Sequence, residues 1–152
     1  MPRKKTIAPE MIDSVAQNMF HVLPLLRKRL LNMGVVQAEH GIPLSHVQVL
    51  AMLNDGKTMS VSDISHRLGI AKPNITPLVD RLLDLGLVQR QRDTNDRRVV
   101  NVLITEEGTR KLNDIQNTIA GQVRQQADHL TAADFKELTE ALDSLARILS
   151  VL

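Results

Sequence analysis

Four residues at the start of one helical segment have side chains suited to contacting nucleic acid. Apolar spacing predicts a helix from about Lys72 to Leu85, and its first turns hold Asn74, Thr76 and Pro77. An Asn amide can pair with adenine in a DNA major groove, Thr or Pro can touch a thymine methyl group, and Lys can neutralise phosphate. A solvated helix end would use the same residue types, so the surrounding elements must decide between the two interpretations.

A second basic group follows this helix. Residues 87–90 and 99–104 are rich in β-formers, and the polar segment 91–98 between them predicts a β-hairpin with a basic tip. The hairpin carries Arg90, Arg92, Arg97 and Arg98, and arginine suits a narrow minor groove.

The charge of the chain is unevenly distributed although the net value is only +2. Residues 57–104 hold eight Lys/Arg and five Asp/Glu, whereas residues 105–152 hold five and eight. This asymmetry favours a polyanionic partner for the middle of the chain, and ordinary surface variation is the alternative.

The first part of the chain reads as one amphipathic helix. Apolar residues recur at helical spacing over residues 10–31, and Pro24 within this run should bend or break the helix. Gly34 and the Gly41-Ile42-Pro43 run predict a connection to the next element.

Residues 45–85 predict three helices. Ser45 with Gln48, and Ser60 with Asp63, have the spacing of capping boxes, and Gly69 predicts the end of the second helix. The third helix follows after a tight turn, which makes a helix-turn-helix, and the basic hairpin directly after it would be a wing.

Two further helices are predicted after the hairpin. Thr105 caps the first, with Glu106 and Glu107 in its first turn, and Thr131 with Asp134 caps the second. Both are amphipathic, so their apolar faces must be covered, either within one chain or by a second copy.

Composition removes several classes of function. Cysteine, tryptophan and tyrosine are absent, which excludes disulfides, thiol redox sensing and stacking of single-stranded bases on Trp or Tyr. No apolar run approaches the ~20 residues that span a bilayer. The basic start, Met1–Lys5, is not followed by the apolar region of a secretory signal. We therefore expect a cytoplasmic protein without a membrane partner.

Metal binding and catalysis find little support. No two of the five histidines are spaced i, i+4, and the chain has no Gly-rich phosphate loop, nucleophile elbow or metal triad. We predict no enzyme activity, no cofactor and no metal site, and we interpret His46 as a helix-start residue or a pocket donor.

The order of these elements, together with three motifs, resembles the MarR family of bacterial winged-helix transcriptional regulators. The motifs are Asp80-Arg81-Leu82 with Leu85-Gly86-Leu87-Val88, then Arg92-Asp93-Thr94-Asn95-Asp96-Arg97-Arg98, then Leu103-Ile104-Thr105-Glu106-Glu107-Gly108. In the family the last strand usually ends Leu-Thr, and Ile104-Thr105 is a mild variant of that ending.

The resemblance implies a mainly α fold with a small β-hairpin wing. It divides the chain into an N-terminal helical part of a dimerisation region, 1–44, a winged helix-turn-helix lobe that binds DNA, 45–104, and C-terminal dimerisation helices, 105–152. The implied function is a homodimeric repressor that binds double-stranded DNA at a pseudo-palindromic operator. A small lipophilic or phenolic effector is a further implied partner, and its binding residues are not identified.

The resemblance also assigns roles to residues of the lobe. Arg97 would enter the minor groove, and Arg98 would pair with an acid, either Asp80, which we favour, or Asp96, to fix the wing. Lys72 would meet phosphate, whereas Ser60 and Ser62 open the preceding helix, where Ser60 is more a cap than a phosphate contact. The expected DNA-binding set is Ser60, Ser62, Lys72, Asn74, Thr76, Pro77, Arg92, Arg97 and Arg98.

Two other functions remain open at this point. A winged helix can serve as a protein-interaction module, for which an apolar rather than a polar and basic recognition face would be expected. A DNA-binding protein without a small-molecule effector is the other alternative.

Overall fold

The computed structural model describes residues 6–152, so the basic start Met1–Lys5 lies outside the described residues. The predicted mainly α fold with a β-hairpin is confirmed. The elements are α1 (Pro9–Arg29), α2 (Met33–His40), α3 (Leu44–Met52), β1 (Met59–Ser60), α4 (Val61–Leu68), α5 (Lys72–Asp84), β2 (Val88–Arg92), β3 (Val100–Ile104), α6 (Glu106–Arg124) and α7 (Ala132–Leu149). Short 3₁₀ turns lie at Asn54–Gly56 and Ala127–His129.

Contacts between residues divide the chain into two compact units. One unit is continuous, residues 32–119, and is called the lobe below. The other combines the described residues 6–31 with residues 120–152 and is called the helical unit. The lobe thus contains α2 and most of α6 in addition to residues 45–104. That residues 45–104 form the DNA-binding part of the chain stays a prediction.

An aliphatic core holds the lobe together. Every α-helix of the lobe contributes fully buried side chains to this core, and strand β3 adds Val102. No polar or charged residue is buried among the described residues. Burying a Val, Leu or Ile side chain contributes roughly 1.5–3 kcal/mol, so this cluster makes a large favourable contribution to the stability of the lobe. The largest members are Leu50, Leu53, Ile64, Ile75, Leu82 and Ile115.

The helix-turn-helix is formed by α4 and α5, as the sequence predicts. Ser60 and Asp63 form the predicted capping box, and Gly69 ends α4 in the left-handed conformation at φ 62°. The Ser65 hydroxyl donates to the carbonyl oxygen of Ile70 at 2.6 Å, which closes the turn. The tight turn sets the position of α5 relative to α4.

The wing belongs to a three-stranded antiparallel sheet rather than an isolated hairpin. The strand order is β1-β3-β2. Val102 of the central strand β3 lies opposite Met59 of β1 on one side and opposite Arg90 of β2 on the other. The sequence analysis missed β1 because two residues are too few to show an alternating pattern. This strand ties the start of α4 to the base of the wing.

Thr105 caps α6 as predicted. Its hydroxyl accepts a hydrogen bond from the Gly108 N–H at 3.0 Å and donates to the Gly86 carbonyl at 2.6 Å. The backbone N–H of Thr105 also donates to the Leu87 carbonyl at 3.0 Å. The cap therefore fixes the start of α6 to the end of the α5–β2 turn.

The predicted capping box at Ser45 is wrong. Helix α3 starts one residue earlier, at Leu44, after Pro43, and no side chain caps it. The Pro43 carbonyl accepts from the His46 and Val47 N–H groups, and Ser45 Oγ lies 3.3 Å from His46 Nδ1. Because Pro43 is extended and its carbonyl oxygen accepts both of these bonds, the helix begins without a side-chain cap.

Two expectations for the first part of the chain can be compared with the structure. Helix α1 continues through Pro24 to Arg29, so of the two predicted effects of this proline, a bend or a break, the break does not occur. The expected connection around Gly34 contains α2, which Asn32 caps by accepting from the Gly34 N–H at 3.1 Å and which Gly41 ends at φ 71°. The helix was missed because Gly34, which lies in its first turn, was interpreted as part of a connection.

The helical unit has long apolar faces on its surface. Thr131 and Asp134 form the predicted capping box of α7. Within this unit, none of the residues of α1 or α7 is buried. Apolar side chains that stay exposed include Met11, Ile12, Val15, Met19, Leu25, Leu142, Leu145, Ile148 and Leu149. No helix within residues 6–152 is both long and apolar enough to cross a membrane.

Candidate nucleic-acid interface

Helix α5 presents its polar face to solvent because its other face is anchored in the core. Its buried residues are Ile75, Leu78, Val79 and Leu82. On the other face Lys72, Asn74, Thr76 and Pro77 are all exposed. Amphipathic packing therefore leaves the residues that the sequence analysis selected available for an external partner.

Asn74 and Thr76 differ in what they can offer that partner. The Thr76 hydroxyl donates to the Lys72 carbonyl at 3.1 Å, so the methyl group is left for contact. Within residues 6–152, the Asn74 side chain forms no hydrogen bond, and both its donor and acceptor are free. An amide with both groups free can pair with adenine, and a methyl group can meet a thymine methyl.

The two prolines of α5 occupy positions with different consequences. Pro73 lies in the first turn, as predicted, where the missing N–H has no helical partner in any case. Pro77 lies inside the helix, which nevertheless continues to Asp84. Because Pro77 has no backbone N–H, the carbonyl oxygen of Pro73 lacks its usual helical donor and adds a hydrogen-bond acceptor to the first turn.

Asp80 of α5 is paired with Arg90 of β2, at 2.6 Å between Oδ1 and Nη2. The favoured pair between Asp80 and Arg98 is therefore wrong, and Arg98 lies instead beside the alternative acid, Asp96. Arg90 lies on the strand that follows α5, and the Leu87 N–H donates to the Leu82 carbonyl at 3.0 Å, which brings β2 back along the helix. Arg98 lies beyond the hairpin tip.

The tip of the wing is organised by Asp93, a residue that sequence reasoning missed. Asp93 Oδ1 accepts from the N–H groups of Asn95 at 2.8 Å and Asp96 at 3.1 Å, and Oδ2 accepts from Asn101 Nδ2 at 3.1 Å. These bonds, led by the one from Asn95, lower the pKa of Asp93. The Asp-Thr-Asn-Asp run is the signal that could have found it, because Asp favours such turns.

The remaining wing residues are placed as follows. Asp96 Oδ1 accepts from the Arg98 N–H at 3.0 Å and lies 3.4 Å from Arg98 Nε, so Asp96 holds the strand that returns from the tip. Arg92 and Arg97 are exposed. Neither forms an ion pair within the described part of the chain. Both guanidinium groups are thus available for an anionic partner.

The two serines at the start of α4 are not equivalent. The Ser60 hydroxyl donates to Asp63 Oδ2 at 2.8 Å and accepts from the Asp63 N–H at 3.1 Å, so it is engaged as a cap. Ser62 is exposed, and its hydroxyl has no partner among the residues described. The preference for Ser60 as a cap is confirmed, and Ser62 keeps a free donor.

Histidines and acids do not form a metal centre within residues 6–152, where no group of three or more metal-ligating side chains comes together. His40 Nε2 lies 2.8 Å from Thr118 Oγ1, whose hydroxyl donates to Glu39 Oε2 at 3.0 Å. Since the single proton of that hydroxyl is donated to Glu39, His40 Nε2 must be the donor in its contact with Thr118.

His46 is a separate case, because its pKa is lowered by burial and then by the nearby Arg81 charge.

The comparisons with known proteins agree on a class. The MarR family model matches residues 40–99. The organic hydroperoxide resistance transcriptional regulator of Bacillus subtilis is 31% identical over 111 residues, which cover 70% of this chain and 72% of that protein. The HTH-type transcriptional repressor MdtR of B. subtilis is 28% identical over 110 residues, covering 72% and 69%.

A solved structure extends the likeness to the fold. The transcriptional regulator BldR from Sulfolobus solfataricus superposes with a TM-score of 0.71 at 25% identity, covering 93% of this chain and 98% of that one. The helix-turn-helix, the wing and these matches define a winged-helix DNA-binding transcriptional regulator. The chain belongs to the MarR family. Since the relatives are regulators, the prediction that the chain is not an enzyme is confirmed.

Proposed function

We propose that the protein is a homodimeric repressor that binds a pseudo-palindromic operator in the cytoplasm. The observation that carries this proposal is the exposed polar face of α5, where Asn74 makes no hydrogen bond within the described residues, beside a wing with free arginines. Two such helices in a dimer would read two half-sites about one helical turn apart.

Base reading and backbone binding fall to different residues in this proposal. Asn74 and Thr76 contact base edges in the major groove, and Lys72 and Ser62 contact phosphates. Arg97 enters the minor groove and Arg92 supports it from β2, since Arg favours narrow, electronegative grooves. Pro77 gives an additional apolar contact, and Ser60 acts through the cap of α4.

The homodimer is supported by the apolar faces of the helical unit. The exposed fractions are 63% for Met11, 59% for Val15, 50% for Leu145 and 53% for Leu149. Monomeric proteins rarely expose contiguous apolar patches of this kind, and pairing with a second copy would cover them. Residues of α1 and α7 therefore form the proposed dimer interface.

A cavity of about 400 Å³ in the helical unit supports a small-molecule effector. Its wall is mainly Val and Leu side chains from α1, the α6–α7 connection and α7, and polar groups come from Arg29, Gln126 and His129. An apolar wall with few polar groups is typical of ligand sites, and this one fits a small lipophilic or phenolic molecule.

Selection from a random duplex library at physiological salt tests the operator, with the mass of the free protein measured in parallel. Enrichment of a pseudo-palindrome by a dimer would support the proposal. Duplex binding without enrichment would indicate an architectural protein, and an absence of binding would favour a protein-interaction module.

The effector needs a separate measurement. A panel of phenolic compounds is screened for an increase in melting temperature, because a ligand that binds only the folded state stabilises it. A compound that raises the melting temperature and releases the selected operator supports an effector-responsive repressor. If no compound does both, the protein is a DNA-binding regulator without an effector of this class.

A further inference from the structure

The sulfur-bearing side chains of the protein lie in two different environments. The chain has six methionines and no cysteine, so methionine is the residue type through which sulfur chemistry can occur. In the lobe, Met33 and Met52 are partly buried against the core, and Met59 is 7% exposed. On α1 of the helical unit, Met11 and Met19 are 63% and 54% exposed. Within residues 6–152, an oxidant in solution therefore reaches the two methionines of α1 most readily.

Met11 and Met19 share one side of α1 and belong to one apolar surface. Val15 lies between them, four residues from each, and this spacing repeats along the same face of a helix. The three side chains border a shallow groove in which every lining residue is apolar. Its lining residues are Ile7, Met11, Ile12, Val15, Ala16 and Met19. The two thioethers therefore lie in a surface that offers no side-chain hydrogen-bond donor.

Hydrogen peroxide converts an exposed methionine thioether into a sulfoxide. A lone pair of the sulfur attacks one peroxide oxygen, the O–O bond breaks, and the second oxygen leaves as hydroxide. The hydroxide takes the proton from the oxygen now bound to sulfur, so one water is released. Sulfur loses two electrons and the peroxide gains them. The product is a polar side chain with a strong hydrogen-bond acceptor where an apolar side chain stood.

We propose that Met11 and Met19 form a peroxide-sensitive site whose oxidation prevents α1 from pairing with a second copy. This inference rests on the proposed homodimer and adds a chemical control to it. On pairing, a sulfoxide would lose its hydration, and no side chain of the groove can donate a hydrogen bond in return. Both methionines are exposed in the single chain, so oxidation acts there and keeps the chain from pairing. A single chain reads only one half-site, so the operator is released.

Peptide mass spectrometry after exposure to hydrogen peroxide tests the site itself. Met11 and Met19 should each gain one oxygen before the lobe methionines Met33, Met52 and Met59, which serve as controls within the same chain. The experiment is repeated over a series of protein concentrations. Oxidation of the α1 methionines should slow as the protein pairs, because the second copy covers them, whereas oxidation of the lobe methionines should not change.

The consequence for assembly is measured on the oxidised protein. Light scattering over a concentration series should show a dissociation constant raised about tenfold or more for each sulfoxide that pairing would bury. Affinity for the selected operator should fall in parallel. Treatment with methionine sulfoxide reductases specific for the two sulfoxide epimers should restore both the dimer and the operator affinity.

Variants assign the effect to particular methionines, and each variant is compared with its own untreated sample. The double variant Met11→Leu, Met19→Leu keeps an apolar face without an oxidisable sulfur, so peroxide should change neither its assembly nor its operator affinity. Met11→Gln with Met19→Gln introduces polar groups and should weaken pairing without peroxide. The control Met33→Leu with Met52→Leu should respond to peroxide as the wild type does.

The outcomes separate this inference from the proposed function. If the protein remains dimeric with both α1 methionines oxidised, the oxidation site is wrong and the homodimer stands. The same holds if the lobe methionines are oxidised as fast as those of α1, or if the Leu double variant of α1 still loses its operator in peroxide. An untreated chain that is monomeric at every concentration overturns the homodimer and the oxidation site together.

Discussion

Gly108 lies directly against the backbone carbonyl oxygen of Leu87, in a space that no side chain can share. A Cβ atom at Gly108 would overlap that oxygen and approach Ile104 Cγ1 to 2.7 Å. Both neighbours are fixed, because the Leu87 carbonyl accepts from the Thr105 N–H and Ile104 ends β3. The glycine allows α6 to start immediately beside the α5–β2 turn.

Replacing Gly108 with Ala should therefore destabilise the lobe. Overpacking of this kind costs about 1–3 kcal/mol, and denaturant unfolding measures it. Gly121→Ala is the matched control on the same helix, because a Cβ atom at Gly121 would have no neighbour within 4 Å. The control should raise the unfolding free energy by about 0.5–1 kcal/mol. If Gly108→Ala is as stable as the wild type, the close approach does not constrain α6.

Asn74→Ala should weaken binding to the selected operator and relax the preference at one base pair. A bidentate amide–adenine pair accounts for about 1–3 kcal/mol of discrimination against the wrong base. Affinities for the operator and for single-base variants measure the effect, and binding to random duplex should be unchanged. Arg97→Ala is the comparison, because it should reduce the salt dependence. A uniform loss for Asn74→Ala on every sequence would assign Asn74 to the backbone.

Much of the lobe could be predicted from local signals. Ser60 with Asp63, Gly69 and Thr105 mark helix ends through hydrogen bonds between residues close in sequence, and such bonds leave a readable spacing. The Asp80–Arg90 pair and strand β1 depend on how separate segments come together in space. Arg90 and Arg98 are the same residue type, so only the course of β2 along α5 shows that Arg90 is the one that reaches Asp80.

Acid should disorder the tip of the wing through Asp93. The pKa of Asp93 is lowered in the folded state, so the hydrogen bonds of its carboxylate stabilise the tip above the ordinary Asp pKa of about 3.9. This contribution is lost as the pH falls through the lower, folded-state pKa. The amide resonances of Asn95 and Asp96 report the change during an acid titration.

The measurement must be local because the pKa of a second carboxylate, Asp134, is also lowered in the folded state. Hydrogen bonds from Thr131 lower the pKa of Asp134 at the start of α7, so global acid unfolding reports both groups. Asp93→Asn should remove the wing transition and leave the one at α7. A wing transition that persists in Asp93→Asn would show that another group controls the tip.

Stability should also fall between neutral and mildly acidic pH because of His46. Burial, and then the Arg81 charge, lower the pKa of His46 in the folded state. As the pH falls below the ordinary His value of about 6.5, the unfolded chain binds a proton that the folded lobe does not bind. The unfolding free energy therefore declines until the pH reaches the folded-state pKa.

His46→Gln should make the unfolding free energy less dependent on pH in this range. Denaturant unfolding at a series of pH values compares it with His66→Gln, which removes an exposed histidine of the same lobe. The His66 variant should retain most of the slope. Equal slopes for wild type and His46→Gln would show that protonation of His46 is not linked to folding.

Leu145→Asp should dissociate the proposed dimer. Leu145 lies on the apolar face of α7 with half of its side-chain surface exposed, and a carboxylate there would lose hydration on pairing with another apolar face. Light scattering over a concentration series should show a monomer, and operator affinity should fall because a single recognition helix reads only one half-site. Lys136→Gln changes the net charge by the same amount on the polar face of α7, where Lys136 is 79% exposed, and it should remain dimeric. A dimeric Leu145→Asp variant with unchanged operator affinity would exclude this face of α7 from the interface.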